Sequence, residues 1–356
     1  MAESFSPKQK SYLAYYMKGV SRSFSLVAPE VESPLDDYLA VAYLICRVVD
    51  NIEDTLQPFE WQQERFAEFA MLLDDPHKAE HLLTSWDLFD WPGLNDSEKE
   101  LMTCKNGLML WQTYAQMSDR YRAPIRHWAS RMAFGMERSG NPYTSDYFFN
   151  HGDIRLPIQE SDYDLYCFYV AGTVGRMITE LAVLFYGLEG QAAQILIEGS
   201  DACGRALQKT NIVKDFAIDL QRGVCFLPGE WMQEVDFAPL RLDGAPSSWK
   251  AKVLLNVVGE LEASVGYVEA LPEQAGGYRK AGLLMMLPAY ETILLAAQQL
   301  EDLFSPHHSV KISRAKMGQC ILRARTMAGD NQAIHAYSER MAQQIRSELG
   351  MISAKA

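Results

Sequence analysis

Apolar residues recur at three- and four-residue spacings over most of the chain, which is the period of helices packed on one side. The clearest stretches are Tyr38–Asp54, Trp61–Leu73, Glu98–Tyr121, Gln191–Leu220 and Trp249–Tyr267, and two-residue alternation is almost absent. Breakers separate them at Pro76, Trp91-Pro92-Gly93, Gly140-Asn141-Pro142, Gly187, Pro228-Gly229, Asp243-Gly244-Ala245-Pro246 and Gly276-Gly277. A last, peripheral helix is expected from about Asn331 to Leu349, with a frayed tail after Gly350. Ala171–Leu188 and Gly282–Leu300 are the most apolar runs, but Arg176, Glu180, Pro288 and Glu291 interrupt them, so they read as buried helices rather than membrane spans. No repeat, low-complexity tract or Pro/Ser/Gly-rich linker divides the chain. The pattern predicts an all-α protein forming a single domain over residues 1–356.

Two helices carry polar residues in narrow stripes. In Ala40–Asp54, the residues Tyr43, Arg47, Asp50 and Asp54 fall within an arc of about 60°, with Glu53 beside it. In Ala206–Arg222, the residues Gln208, Asn211, Asp215, Asp219 and Arg222 span about 80°, with Lys209 and Lys214 on neighbouring faces. A helix apolar on most sides with one charged stripe is expected to be buried, the stripe lining a polar cavity. A surface helix showing its solvent face gives the same period. Two such stripes, each with an Asp-x-x-x-Asp pair and a cationic or amide companion, favour the first reading.

Composition narrows the chemistry. The chain is 48% hydrophobic and 22% charged, as expected for a folded globular protein, and its net charge of −13 argues against a nucleic-acid partner. Six scattered cysteines form no C-x-x-C pair, and the first residues lack a signal-peptide pattern; a reducing, cytoplasmic setting is the expectation. Four carboxylates from two helices cannot converge without cations. No glycine-bearing EF-hand loop and no Glu-x-x-His pair is present, and His77 and His81 follow Pro76 in a polar stretch as a solvated pair. Mg²⁺ fits best, since it takes few carboxylates and completes its shell with water and phosphate oxygens. Arg47, Lys214 and Arg222 suit the remaining phosphate charge. A diphosphate held this way leaves behind a carbocation, which is useful only in a dry, apolar cavity.

These residues resemble the squalene/phytoene synthase family from about residue 12 to residue 328, and the C-terminal helix follows that core. Ser21-Arg22-Ser23-Phe24 is similar to its N-terminal SRSF-type motif. Asp50-Asn51-Ile52-Glu53-Asp54 and the run Gln208–Asp219 resemble its two aspartate-rich motifs, and Phe226-Leu227-Pro228 matches the sequel. Tyr166–Gly175 resembles its YCxxVAGxVG segment. The resemblance implies a class I isoprenoid-synthase helical fold around a central cavity, and head-to-head joining of two prenyl diphosphates through a cyclopropyl intermediate with Mg²⁺. It assigns metal binding to Asp50, Asp54, Asp215 and Asp219, with Glu53 and Asn211, and catalysis to Tyr166, Tyr43 and Arg47. Ser21, Arg22, Ser23, Arg47, Gln208, Lys214 and Arg222 would bind diphosphate. Phe24, Val170, Ala171, Gly172, Val174, Gly175, Leu207, Leu284 and Pro288 would line the prenyl-chain pocket. Ordinary close helix packing gives the same Gly/Ala pattern.

The family divides between NADPH-dependent squalene synthases and phytoene or dehydrosqualene synthases, which need no reductant. The Gln-Lys-Thr-Asn-Ile run and Val310-Lys311-Ile312 resemble the squalene branch, and a bacterial squalene synthase type is the expectation, with Lys311 and Arg314 toward the NADPH phosphate. A solvated basic turn is the plainer account of that pair. Ala217-Ile218-Asp219, Ser313, Leu284 and the Arg222-Gly223 spacing depart from that branch. The implied substrate is farnesyl diphosphate. The chain ends without the C-terminal anchor of eukaryotic squalene synthases, so a cytoplasmic enzyme with at most peripheral membrane contact and no obligate protein partner is expected. A dehydrosqualene-type synthase, a terpene cyclase and a non-catalytic helical scaffold stand as rivals.

Overall fold

The computed structural model describes residues 4–21, 24–143, 146–233, 235, 242–305 and 307–350. Its helices are α1 (Pro7–Val20), α2 (Phe24–Val27), α3 (Leu35–Asp54), α4 (Phe59–Asp74), α5 (Ala79–Trp86), α6 (Asp96–Leu101), α7 (Cys104–Gln116), α8 (Asp119–Gly140) and α9 (Glu160–Cys167). There follow α10 (Thr173–Tyr186), α11 (Gly190–Gln221), α12 (Gly229–Met232), α13 (Ser247–Ala263), α14 (Val265–Ala270), α15 (Gly276–Gln298), α16 (Arg314–Met327) and α17 (Asn331–Glu348). Two short strands, β1 (Phe148–His151) and β2 (Ile154–Pro157), are the departure from an otherwise all-α fold among the described residues. The backbone divides into two compact units: Met1–Tyr143 with Thr173–Ile197, and Thr144–Gly172 with Glu198–Ala356.

In the first unit α3 is the core helix, packed by α1, α4, α6, α7, α8 and α10. Val41, Ala42, Leu44, Ile45, Val48, Val49 and Ile52 are fully buried, so apolar side chains face neighbours on nearly every side. The predicted Glu98–Tyr121 helix is three helices. Asn95 opens α6 with a capping box to Glu98, and Thr103 opens α7 by accepting from the Asn106 N–H. Side chains that satisfy terminal N–H groups outcompete helix continuation at these positions.

In the second unit α15 packs against α13, α16 and α17. The buried Glu291 carboxylate of α15 accepts from the Tyr337 hydroxyl of α17 at 3.2 Å and pairs with Lys316 (2.9 Å) and Arg323 (3.3 Å) of α16. Gly276-Gly277 opens α15 instead of breaking a helix. The predicted helix 249–267 divides at Ser264, whose side chain bonds the Glu260 carbonyl. The β1–β2 hairpin has a two-residue loop, Gly152-Asp153, with Gly152 at φ +60°, and Phe148 pairs with Pro157. It ties down the end of α11, for the Arg155 N–H bonds the Gly223 carbonyl at 2.8 Å and the Cys225 N–H bonds the Arg155 carbonyl at 2.9 Å.

Two helical stretches, Glu160–Tyr186 and Glu273–Gln298, reach membrane-spanning length and apolarity, but 50% and 67% of their apolar windows are buried inside the protein. All six cysteines are free.

Candidate active site

In the first unit, the stripe on α3 emerges as the sequence pattern requires. From Ala40 to Asp54 the positions left unburied are Tyr43, Arg47, Asp50, Glu53 and Asp54, and every other residue of that segment is buried. The Arg47 guanidinium lies 3.3 Å from Asp50 Oδ2 and donates to the Tyr43 hydroxyl at 3.2 Å. Glu98 of α6 stands 3.9 Å from the same guanidinium. Burial works against the Arg47 charge, yet Asp50, Tyr43 and Glu98 together raise its pKa. Asp50 is pushed up to about 6, first by burial and then by Asp54 and Glu98, against the pull of Arg47. A buried carboxylate with like-charged neighbours is what a divalent cation relieves.

The stripe's end is built by the chain after α3. Gln62 Nε2 donates to the Glu53 and Thr55 carbonyls, each at 2.9 Å, and the Thr55 hydroxyl donates to the Pro92 carbonyl at 3.1 Å. Buried Asn51 bonds the Glu98 carbonyl at 3.1 Å, which sets α6 against α3. Ser21 follows α1, its N–H bonded to the Met17 carbonyl. Arg22 and Ser23 lie outside the described residues, and Phe24 is described by its backbone alone.

In the second unit, the α11 stripe holds Gln208, Asp215 and Asp219 half-buried and Asn211 and Arg222 exposed, above buried Ile212, Val213 and Phe216. Lys214 Nζ lies 3.1 Å from Asp215 Oδ2 and donates to Asn211 Oδ1 at 3.0 Å. Lys209 has a different fate: it is buried, with its ammonium 2.6 Å from Asp164 and 2.9 Å from Glu260.

Tyr166 closes α9 in the second unit and is 3% exposed. Its ring stacks on Phe226 at 4.4 Å and 14° and meets the edge of Phe148 at 5.7 Å. A π turn, Phe168–Gly172, follows directly. Val170 and Ala171 of this turn are half-buried and Gly172 is buried; in the first unit, Val174 is half-buried and Gly175 buried. Close packing explains the small residues near Gly172: a Cβ on Gly204 of α11 would sit 2.3 Å from the Ala171 carbonyl oxygen and 2.7 Å from the Gly172 Cα. Leu207 is half-buried, Leu284 is buried in α15, and Pro288 lies one turn later, its carbonyl bonded by the Thr292 hydroxyl at 2.7 Å.

Lys311 and Arg314 are exposed at the start of α16. Ser313, a departure noted in the sequence, is the N-cap of α16 and accepts from the Lys316 N–H at 3.1 Å. His77 and His81 are both exposed, and among the described residues no three His, Cys, Asp or Glu side chains converge to hold a metal by themselves. Sequence reasoning missed Glu98, Asp164 and Glu260, which reach their partners from other helices and leave no periodic trace on α3 or α11. Phe226 had a visible signal in the Phe-Leu-Pro sequel, though not its stacking role.

The donor sets suit Mg²⁺: each stripe offers hard carboxylate oxygens one turn apart, still accessible, with a cation beside them and positions left for water and phosphate oxygens.

Comparison with known proteins extends this geometry. The squalene/phytoene synthase family profile matches residues 17–316. The chain is 26% identical to the squalene synthase of Candida albicans over 317 residues, covering 87% of this chain and 66% of that one. It is 28% identical to that of Saccharomyces cerevisiae over 316 residues, again 87% and 66%. The squalene synthase of Dictyostelium discoideum is 30% identical over 237 residues, covering 64% and 50%. The chain thus spans about two thirds of the length of the curated relatives it matches most fully. These relatives are eukaryotic, where the sequence had suggested a bacterial type. The fold is shared with a ligand complex of TcSQS at TM-score 0.75, 22% identity and 98% and 94% coverage. It is also shared with a ligand complex of a dehydrosqualene synthase at TM-score 0.58, 18% identity and 90% and 97% coverage.

Proposed function

The chain belongs to the squalene/phytoene synthase family, and from that premise we propose that it joins two farnesyl diphosphates head to head and reduces the product to squalene. The observation that carries this reading is the pair of accessible carboxylate stripes, Asp50/Asp54 with Arg47 and Tyr43 on a segment otherwise buried from Ala40 to Ile52, and Asp215/Asp219 with Lys214 above buried Ile212, Val213 and Phe216.

In this reading Asp50, Asp54, Asp215 and Asp219, with Glu53 and Asn211, hold Mg²⁺, which supplies charge neutralisation for the departing diphosphate. Ser21, Arg22, Ser23, Arg47, Gln208, Lys214 and Arg222 bind the phosphate oxygens and orient the leaving group. Arg47 keeps its proton, since its carboxylate and tyrosine neighbours hold its pKa up. Tyr166 and Tyr43 are assigned to the reacting carbons: a phenol oxygen takes the proton lost as the cyclopropyl ring closes while passing its own hydroxyl proton to the departing diphosphate, and the ring face stabilises the allylic cation. Phe226 and Phe148 hold the Tyr166 ring in one orientation. Phe24, Val170, Ala171, Gly172, Val174, Gly175, Leu207, Leu284 and Pro288 exclude water along the prenyl chains. Lys311 and Arg314 bind the NADPH phosphate, and NADPH when bound supplies the hydride. The enzyme works at the cytoplasmic face of a membrane that receives its apolar product.

A dehydrosqualene product is the second reading, favoured by Ser313 serving as a helix cap where a further basic residue would strengthen nucleotide binding. Incubation with farnesyl diphosphate and Mg²⁺, with and without NADPH, separates them by mass spectrometry. Squalene formed only with NADPH supports the proposal. Dehydrosqualene in both reactions moves the enzyme to the other branch. No product from farnesyl or geranylgeranyl diphosphate overturns both.

A further inference from the structure

Lys209 was expected beside the carboxylate stripe and instead lies beneath it, 1% exposed. Its ammonium donates to Asn256 Oδ1 at 2.8 Å and Glu260 Oε1 at 2.9 Å, and forms an ion pair with Asp164 Oδ1 at 2.6 Å. Its ammonium also lies 5.1 Å from the centre of the Tyr163 ring. The network continues outward. Arg205 binds Glu260 with two bonds of 2.9 and 3.1 Å, and Asn256 donates to Glu160 at 2.9 Å. Three helices of the second unit are joined in this way: α9 through Glu160 and Asp164, α11 through Arg205 and Lys209, and α13 through Asn256 and Glu260.

Stability alone gives little reason for such an arrangement, because well-packed apolar residues replace buried ion pairs at no loss and often with gain. Directional bonds do what apolar packing cannot, which is to fix the register of one helix against another. The place where register matters is adjacent. Asp164 precedes Tyr166 by two residues, and the π turn Phe168–Gly172 follows it. A π turn carries one extra residue in the helical ladder and so could sit at more than one position. Here it is held on both sides by contacts to the same helix, α11. Asp164 pairs with Lys209 before the turn, and the Ala171–Gly172 backbone at its end rests on Gly204.

We propose that Lys209 is a positioning residue that, together with the Gly204 contact, pins the π turn and so holds the Tyr166 ring in place relative to Gln208, Asn211 and Asp215 on α11. This assignment rests on the reaction proposed above for Tyr166. It does not make Lys209 a group that touches substrate. Lys209→Met is expected to fold, because Glu260 keeps both bonds from Arg205 and the Asp164 side chain is 42% exposed, although Asn256 Oδ1 loses its donor.

The test uses the full chain as wild type, Lys209→Met, Lys209→Arg and Asp164→Asn, each also made with 3-fluorotyrosine at position 166. Lys209→Met is expected to melt within a few degrees of wild type, to shift or broaden the ¹⁹F resonance at 166, and to lower kcat for the cyclopropyl intermediate at least tenfold with KM for farnesyl diphosphate within threefold. Asp164→Asn moves the same readouts in the same direction, and Lys209→Arg restores part of kcat. If Lys209→Met does not fold, Asp164→Asn carries the test. An unmoved ¹⁹F resonance in a folded variant, or a loss confined to KM, overturns the positioning role. The ¹⁹F readout needs no turnover, so a wild type that converts no prenyl diphosphate defeats the reaction instead and leaves this inference to be judged by the spectrum.

Discussion

Asp50→Asn probes the metal site through its pH dependence. The Asp50 carboxyl is raised to about 6, first by burial, with Asp54 and Glu98 adding like charge and Arg47 opposing them. A metal ligand must be deprotonated, so protons and Mg²⁺ compete for this group. At about pH 8 it is almost fully ionised, whereas at about pH 5, one unit below its midpoint, roughly one carboxyl in eleven is charged. Through this group alone, Mg²⁺-dependent binding of inorganic pyrophosphate weakens about tenfold, or about 1.4 kcal/mol, between those two pH values. Isothermal titration of wild type and Asp50→Asn across that range isolates the effect, since the titration of pyrophosphate itself is common to both proteins. Wild type binds more tightly at pH 8, and its advantage shrinks about tenfold by pH 5. A constant advantage across the range would refute the account. The folding sign is the reverse. A carboxyl whose pKa is raised above its unfolded value of 3.8 stabilises the metal-free protein below that value and loses the contribution as pH rises through about 6. Thermal melts should therefore show Mg²⁺ stabilising more at pH 8 than at pH 5.

Tyr166→Phe keeps the ring stacked on Phe226, so melting and pyrophosphate binding stay unchanged while formation of the cyclopropyl intermediate falls about 100-fold or more; unaltered turnover removes Tyr166 from the reaction. Lys311→Ala is expected to raise the NADPH concentration needed for half-maximal squalene formation about tenfold, as for one lost charge-assisted bond, and to leave the first half-reaction untouched. If NADPH dependence is unmoved, Lys311 is a surface lysine only. Gly204→Ala places a Cβ 2.3 Å from a backbone oxygen and should lower stability by about 1–3 kcal/mol. A denaturation midpoint equal to wild type would mean that α11 does not depend on this close approach.

The α3 stripe was legible in full because the helix is apolar on every other side, so the polar residues left over define one direction. The α11 stripe was legible from the three- and four-residue spacing of Gln208, Asn211, Asp215, Asp219 and Arg222, but the fate of Lys209 was not. A lysine in an apolar helix looks like part of the polar face until the carboxylates that bury it are known, and Asp164 and Glu260 come from α9 and α13. The hairpin went unread because four-residue strands flanking Gly152-Asp153 are too short to show alternation. The helices α6 and α7 merged into one in the sequence pattern, since Thr103 acts by a side-chain hydrogen bond that periodicity does not see.

By itself, then, the chain determined an all-helical fold, the place of both carboxylate pairs and the family to which they belong, because these follow from local period and from short runs of residues whose order is preserved along one helix. Tertiary structure alone decided that Glu98 joins Arg47 and Asp50, that Phe226 carries the Tyr166 ring, that Ser313 caps a helix, and that Lys209 is an internal tie. Apart from the local Ser313 cap, each of those depends on which side chains the fold brings within a few ångströms from separate segments, and contact of that kind leaves no mark in the spacing of residues along either one.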